Sequence, residues 1–127
     1  MSTNCENSAS IRVWVDGPLR AAAQDPDNLR AVTLAYFIED DVQASEQTAH
    51  LLLGWLNAVQ SGEIESEDGT GNAFTVTIGR DDVFIENAVS DEFPSYRYTH
   101  DEFRQALEQV LTVLGKSNKD RSSDKEA

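Results

Sequence analysis

Apolar and polar residues alternate from Ile11 to Asp16, with Ile11, Val13 and Val15 on one face and Arg12, Trp14 and Asp16 on the other. That period predicts a first strand, stopped by Gly17-Pro18. Leu19–Asp27 reads as a loop with at most one helical turn, because Pro26 and its Asp/Asn neighbours end anything begun at Leu19-Arg20-Ala21-Ala22-Ala23. Leu29–Glu39 carries Val32, Leu34, Tyr36 and Ile38 at period two, which predicts a second strand covered on both faces. A helix follows from about Val42 to Gln60, opened by the carboxylates Glu39-Asp40-Asp41 and stopped near Gly62. Its stripe is Thr48, Leu51 or Leu52, Trp55 and Val59, widened by Leu56.

Glu63–Asp68 is a ragged edge strand or a loop, and Asp68-Gly69-Thr70-Gly71 a turn. Phe74–Ile78 and Val83–Val89 form the clearest hairpin, across Gly79-Arg80-Asp81-Asp82, and Tyr96-Arg97-Tyr98 adds one more short strand. The turn is not of the two-residue kind, since its glycine precedes the acidic pair. Thr99-His100-Asp101-Glu102 has the capping-box form and opens a helix with Phe103, Ala106, Leu107, Val110 and Leu114 on its apolar side. Gly115 is expected to end it. The predicted whole is a single α+β domain over residues 11–115, an antiparallel sheet with two amphipathic helices packed on one face. A flexible N-terminus (residues 1–10) and a disordered polar tail (residues 116–127) flank it.

Charge changes the picture more than composition does. The chain of 127 residues carries a net charge of −13. Its last thirteen residues hold a net +1, so residues 1–114 hold six arginines against twenty carboxylates, a net of −14, with no lysine before Lys116. Such a body repels nucleic-acid backbone and anionic membrane surface, and attracts basic partners. One cysteine excludes an internal disulfide, and no apolar run approaches a membrane span. The N-terminus has neither the basic nor the apolar part of a secretory signal, so the cytoplasm is the expected compartment. Three readings of the acidity overlap: solubility alone, a docking face for a basic protein, and adaptation to a salty cell interior, which the missing lysines favour.

Catalytic and cofactor chemistry lacks material. Gly69 and Gly71 sit in an acidic turn with no lysine to cradle phosphate. One cysteine and two histidines fifty residues apart do not make a metal site, and neither glycine register gives Ile64–Thr77 the ligands of a calcium loop. Asp81 and Asp82 as an acid–base pair would need a cleft and a third group. Cys5 has no basic neighbour before Arg12 to lower its pKa. His50 reads as structural and His100 as local electrostatics beside Asp101 and Glu102. No metal, no cofactor and no enzyme activity are therefore expected.

What remains is contact chemistry. Trp14, between Arg12 and Asp16, either caps a small second core or anchors an interface. Tyr96 and Tyr98 share one strand face beside Asp91-Glu92; they pack under the second helix or, if outward, form a contact patch. The candidate partner-binding residues are Asp81, Asp82, Glu86, Asp91, Glu92, Tyr96 and Tyr98 as one patch, Glu63, Glu65, Glu67 and Asp68 as a second, and Trp14.

From Gly71 to Leu114 the chain has a hairpin, a short aromatic strand and a capped amphipathic helix opening Thr99-His100-Asp101-Glu102-Phe103. In that organisation, and in its acidic body, it resembles the small immunity proteins that bacteria encode beside polymorphic or contact-dependent toxins. The resemblance implies a stoichiometric, non-catalytic antidote to a basic protein partner, often a nuclease toxin, with carboxylates standing where substrate phosphates would sit. Two alternatives are an acidic housekeeping or adaptor protein of a high-salt organism and a small carboxylate-based hydrolase.

Overall fold

The computed structural model describes residues 8–87 and 94–126, with side chains described as far as Gly115. The fold is α+β, and the antiparallel pairing is divided between two sheets. Strands β1 (Ile11–Val15) and β2 (Leu19–Ala23) form a hairpin, and β3 (Glu67–Thr70), β4 (Phe74–Ile78), β5 (Val83–Asn87) and β6 (Tyr96–Tyr98) form a meander in chain order. Three α-helices complete it among the described residues: α1 (Leu29–Phe37), α2 (Glu46–Ser61) and α3 (His100–Glu126). Helices α1 and α3 contact both sheets, and one continuous core joins all layers.

Two expectations fail early in the chain. Leu19–Ala23 is a strand and not a loop, because a turn at Asp16-Gly17-Pro18, with Gly17 at φ +73, folds it back onto β1 in the register Val13↔Ala21. Pairing overrides the helix preference of the alanines there. Leu29–Phe37 is a helix and not a strand. Asn28 caps it, its side chain accepting from Ala31 N–H at 3.3 Å. The buried residues Ala31, Leu34, Ala35, Ile38 and Val42 recur at helical spacing, while Leu29 and Tyr36 of the supposed strand faces are 58% and 45% exposed.

The chain leaves α1 through one wider π-helical turn, Ile38–Val42, closed by Gln43 N–H on the Ile38 carbonyl at 2.8 Å. Ser45 then caps α2, so this helix starts at Glu46, four residues later than Val42. Gly62 ends it in the left-handed conformation, as expected of that glycine. Leu51, assigned to the buried stripe as an alternative to Leu52, is 51% exposed. Helix α3 opens on the predicted capping box: Glu102 N–H donates to Thr99 Oγ1 at 3.0 Å and Thr99 N–H to Glu102 Oε1 at 2.9 Å. Its backbone continues through Gly115 to Glu126. A glycine inside a helix costs only about 1 kcal/mol relative to alanine, and no proline follows it.

Glu102 also ties the N-terminal segment down. Ala9 is buried, and its N–H donates to Glu102 Oε2 at 2.8 Å. The same carboxylate accepts from Arg30 Nη2 at 2.7 Å, so one side chain joins α3, α1 and the segment before β1. Burial pushes the Glu102 carboxyl up, but Arg30 and the Ala9 and Thr99 amides outweigh it and hold it below its ordinary value of 4.5. A carboxylate with a depressed folded-state pKa adds stability above its unfolded pKa and loses it as pH falls through the folded value. Glu102→Gln is therefore expected to cost about 2 kcal/mol at neutral pH. The gap from the wild type should close below about pH 4.5 in urea titrations, and a pH-independent gap would show that charge is not its origin.

Candidate functional site

The two acidic clusters separated in sequence meet at one end of the four-stranded sheet. Glu67 pairs with Ile78, the last residue of β4, and Val83 pairs with Tyr98, the last residue of β6. The start of β3, the Gly79–Asp82 turn and the start of α3 therefore lie side by side, with Glu65, Glu67, Asp81, Asp82 and Asp101 on them. The turn is held by Gly79 N–H on the Asp82 carbonyl at 2.8 Å. His100 Nε2 donates to the Gly79 carbonyl at 2.8 Å, which pins α3 to it. Glu63 follows the end of α2, and Arg104 of α3 donates to Asn57 and Gln60 in the last turns of α2, which brings that terminus to the same end.

Five of the six arginines before Gly115 make contacts within the body, and the sixth, Arg80, is exposed in the Gly79–Asp82 turn. Arg20 pairs with Glu39 at 3.4 Å, Arg30 with Glu102, and Arg97 with Asp82 at 3.2 Å, while Arg12 lies over the Trp14 ring. Asp82 is thus the neutralised member of the rim, whereas Glu63, Glu65, Asp68, Asp81 and Asp101 are exposed.

The first predicted patch does not hold together. Tyr98 is 1% exposed, and its hydroxyl donates to the Arg30 carbonyl at 2.7 Å. Burial pushes its phenol well above the ordinary value, so it remains a donor. The register explains the inward turn: Tyr98 pairs with Val83 and Tyr96 with Ile85, both 0% exposed. Tyr96 is half-buried on that same face, against the core, so the tyrosines form no outward pair. Glu86 pairs with Thr75 toward the other end of the sheet, away from Asp81 and Asp82. Asp91 and Glu92 lie outside the described residues. Trp14 is 38% exposed on the separate β1–β2 hairpin and does not join the rim by any strand pairing.

The outward face of the meander carries Asp68, Thr70, Thr75, Thr77, Phe84, Glu86 and Arg97 by strand alternation. The Arg97 guanidinium stands 4.6 Å over the Phe84 ring.

A second feature went unpredicted. A cleft of about 130 Å³ lies between α2 and the β3–β4 hairpin, with Phe37, Leu51, Leu52, Trp55 and Val76 among its walls and Asp41 as its carboxylate. The π-helical turn places Asp41, whose Oδ1 accepts from Ala73 N–H at 2.9 Å and Oδ2 from Phe74 N–H at 3.1 Å. Burial raises the Asp41 carboxyl above its ordinary 3.8 despite those bonds. Only a glycine fits at position 71, where a Cβ would come within 2.5 Å of Asp41 Oδ2. The signal for this cleft was present in Leu51-Leu52-Leu53: three consecutive leucines on one helix cannot all face the same core.

Among the described residues no group of three or more His, Cys, Asp or Glu is placed to hold a metal ion, and no helix is long and apolar enough to cross a membrane. Comparison of the chain with protein-family models, curated proteins and solved structures finds no match.

Proposed function

We propose that this is a non-catalytic acidic binding protein that neutralises a basic protein partner, an immunity protein that inhibits a cognate toxin. The observation that supports the reading is the acidic rim. Carboxylates from β3, the Gly79–Asp82 turn and α3 gather at one end of the sheet and outnumber the arginines there, of which Arg97 is paired with Asp82 and Arg80 is exposed in the turn itself. A concentrated field of one sign speeds encounter with a cation-rich surface and orients it. On a nuclease such a rim would cover the surface that receives substrate phosphates.

The test is capture from native cells on the immobilised chain at about 0.02 M salt and release at about 0.5 M, where the Debye length falls from ~20 Å to ~4 Å. The expected eluate holds one basic protein whose toxic activity is lost on mixing with an equimolar amount of this chain. A captured protein whose activity persists under saturation, or an eluate without a basic protein, would overturn the reading.

A further inference from the structure

The exposed strand edges of this fold are not alike. Pairing parity turns Ile11 of β1, Ala21 of β2 and Arg97 of β6 away from their neighbour strands, and each has a side chain on its outward backbone. Gln109 Nε2 donates to the Ile11 carbonyl at 3.0 Å, Ala21 N–H donates to Glu39 Oε2 at 2.9 Å, and Arg30 donates to the Arg97 carbonyl at 2.8 and 3.1 Å. Val13 and Val15 of β1 and Leu19 and Ala23 of β2 also turn outward without such a bond, but β3 is the edge that carries none among the described residues. Gly71 N–H bonds the Phe74 carbonyl at 2.9 Å, so Gly69↔Val76 and Glu67↔Ile78 are the bonded pairs of that ladder. Asp68 and Thr70 therefore point their N–H and C=O groups outward, and among the described residues no side chain bonds them. An open edge of this kind is a template for another strand.

The cleft lies beneath this edge. Gly69 shares the face of buried Val76, and a Cβ built on it would lie 3.0 Å from the Trp55 ring. In a strand laid along β3, the residue opposite Gly69 points to the Trp55 side, and those opposite Asp68 and Thr70 stand on the outer face. The cleft, at about 130 Å³, approaches the ~150 Å³ that takes up a benzene-sized group, enough for one unbranched side chain. Its walls suit an apolar stem, while the Trp55 ring and the Asp41 carboxylate suit a cationic head.

We propose that the outer edge of β3 and the cleft beneath it form a docking slot for an extended basic segment of the partner, which adds as a fifth strand and sends one lysine or arginine side chain between Trp55 and Asp41. A second cation of that segment faces Asp68 on the outer side. The inference rests on the reading that the partner is a basic protein.

The probe is a library of randomised heptapeptides displayed on phage and selected on the full chain. Enriched peptides are expected to carry lysine or arginine. Bound to the wild type, they should slow amide exchange at Asp68 and Thr70. Affinity should fall about tenfold on Thr70→Pro, which removes an outward N–H that β4 does not use. A similar loss is expected on Leu51→Lys, which places a like charge at a half-exposed position of the cleft. Replacing the buried cation of the best peptide by norleucine should give a loss of the same size, and this readout does not depend on how the variants fold. The slot is overturned if no peptide is enriched, if enriched peptides lack cations, if the norleucine peptide binds equally, or if Asp68 and Thr70 exchange unchanged. It is also overturned if ultracentrifugation shows a wild-type dimer that Thr70→Pro dissociates, because the occupant is then a second copy. If Thr70→Pro captures the native basic protein as tightly as the wild type does, the slot fails while the proposed function stands.

Discussion

Replacing Phe37 by alanine is expected to lower the unfolding free energy by about 4 kcal/mol, and the melting temperature by roughly 15 °C. Phe37 is 2% exposed at the end of α1, with ring centroids of Phe74 and Phe103 at 6.1 and 5.9 Å. Those neighbours belong to β4 and α3, so the ring joins three elements and no single neighbour can move in to fill the void. Leu29→Ala, eight residues earlier on the same helix but 58% exposed, should change stability by less than about 0.5 kcal/mol. Urea unfolding of both variants checks the contrast. A Phe37→Ala cost below that of Leu29→Ala would remove the aromatic trio from the centre of the core.

The second large effect is kinetic. Reversing Glu63, Glu65 and Asp81 to lysine takes the net charge from −13 to −7 at three exposed positions of the rim. Association with the captured basic partner at low salt should slow about 100-fold, with far less change in the dissociation rate. The same charge change at Asp16, Asp25 and Asp27, all exposed and outside the rim, serves as the control. Stopped-flow association across a salt series distinguishes the two. If the control slows association as much, net charge and not the rim steers the encounter.

How much of this was legible in the sequence depends on which interactions decide each segment. The β4–β5 hairpin, β6 and the start of α3 are specified locally, by strict alternation, by a turn led by Gly79 and by the reciprocal Thr99–Glu102 bonds. Their periods and caps are readable because the deciding partners lie a few residues away. Leu29–Phe37 misled because Val32, Leu34, Tyr36 and Ile38 satisfy a period of two while Ala31, Leu34, Ala35 and Ile38 satisfy the helical one. The small residues Ala31 and Ala35 carried the true pattern, and small residues weigh little in a hydrophobic count. Asn28, one position before the helix, was the available signal. In β2, Leu19-Arg20-Ala21-Ala22-Ala23 has no strand character of its own, and only its partner β1 makes it one.

The candidate site divides along the same line. That the surface would be acidic followed from twenty carboxylates against six arginines before Gly115, because charge is conserved whatever the fold. Where the acids gather did not follow. The meander register decided that Glu65 and Glu67 stand beside Asp81 and Asp101. It also turned Tyr98 into the core and left Glu86 toward the other end, since a shift of one residue exchanges the two faces of a strand. The arginines' engagement and the cleft of Asp41, Leu51 and Trp55 likewise depend on contacts between elements distant in the chain. By itself the sequence determined the fold class, the capping box of α3, the Gly62 stop of α2, the local hairpin and the sign of the field, all of which arise from neighbours in the chain or from simple sums. Only the tertiary structure decided the shape of that field, the buried tyrosine and the open edge of β3, because each depends on which face of one element meets which face of another.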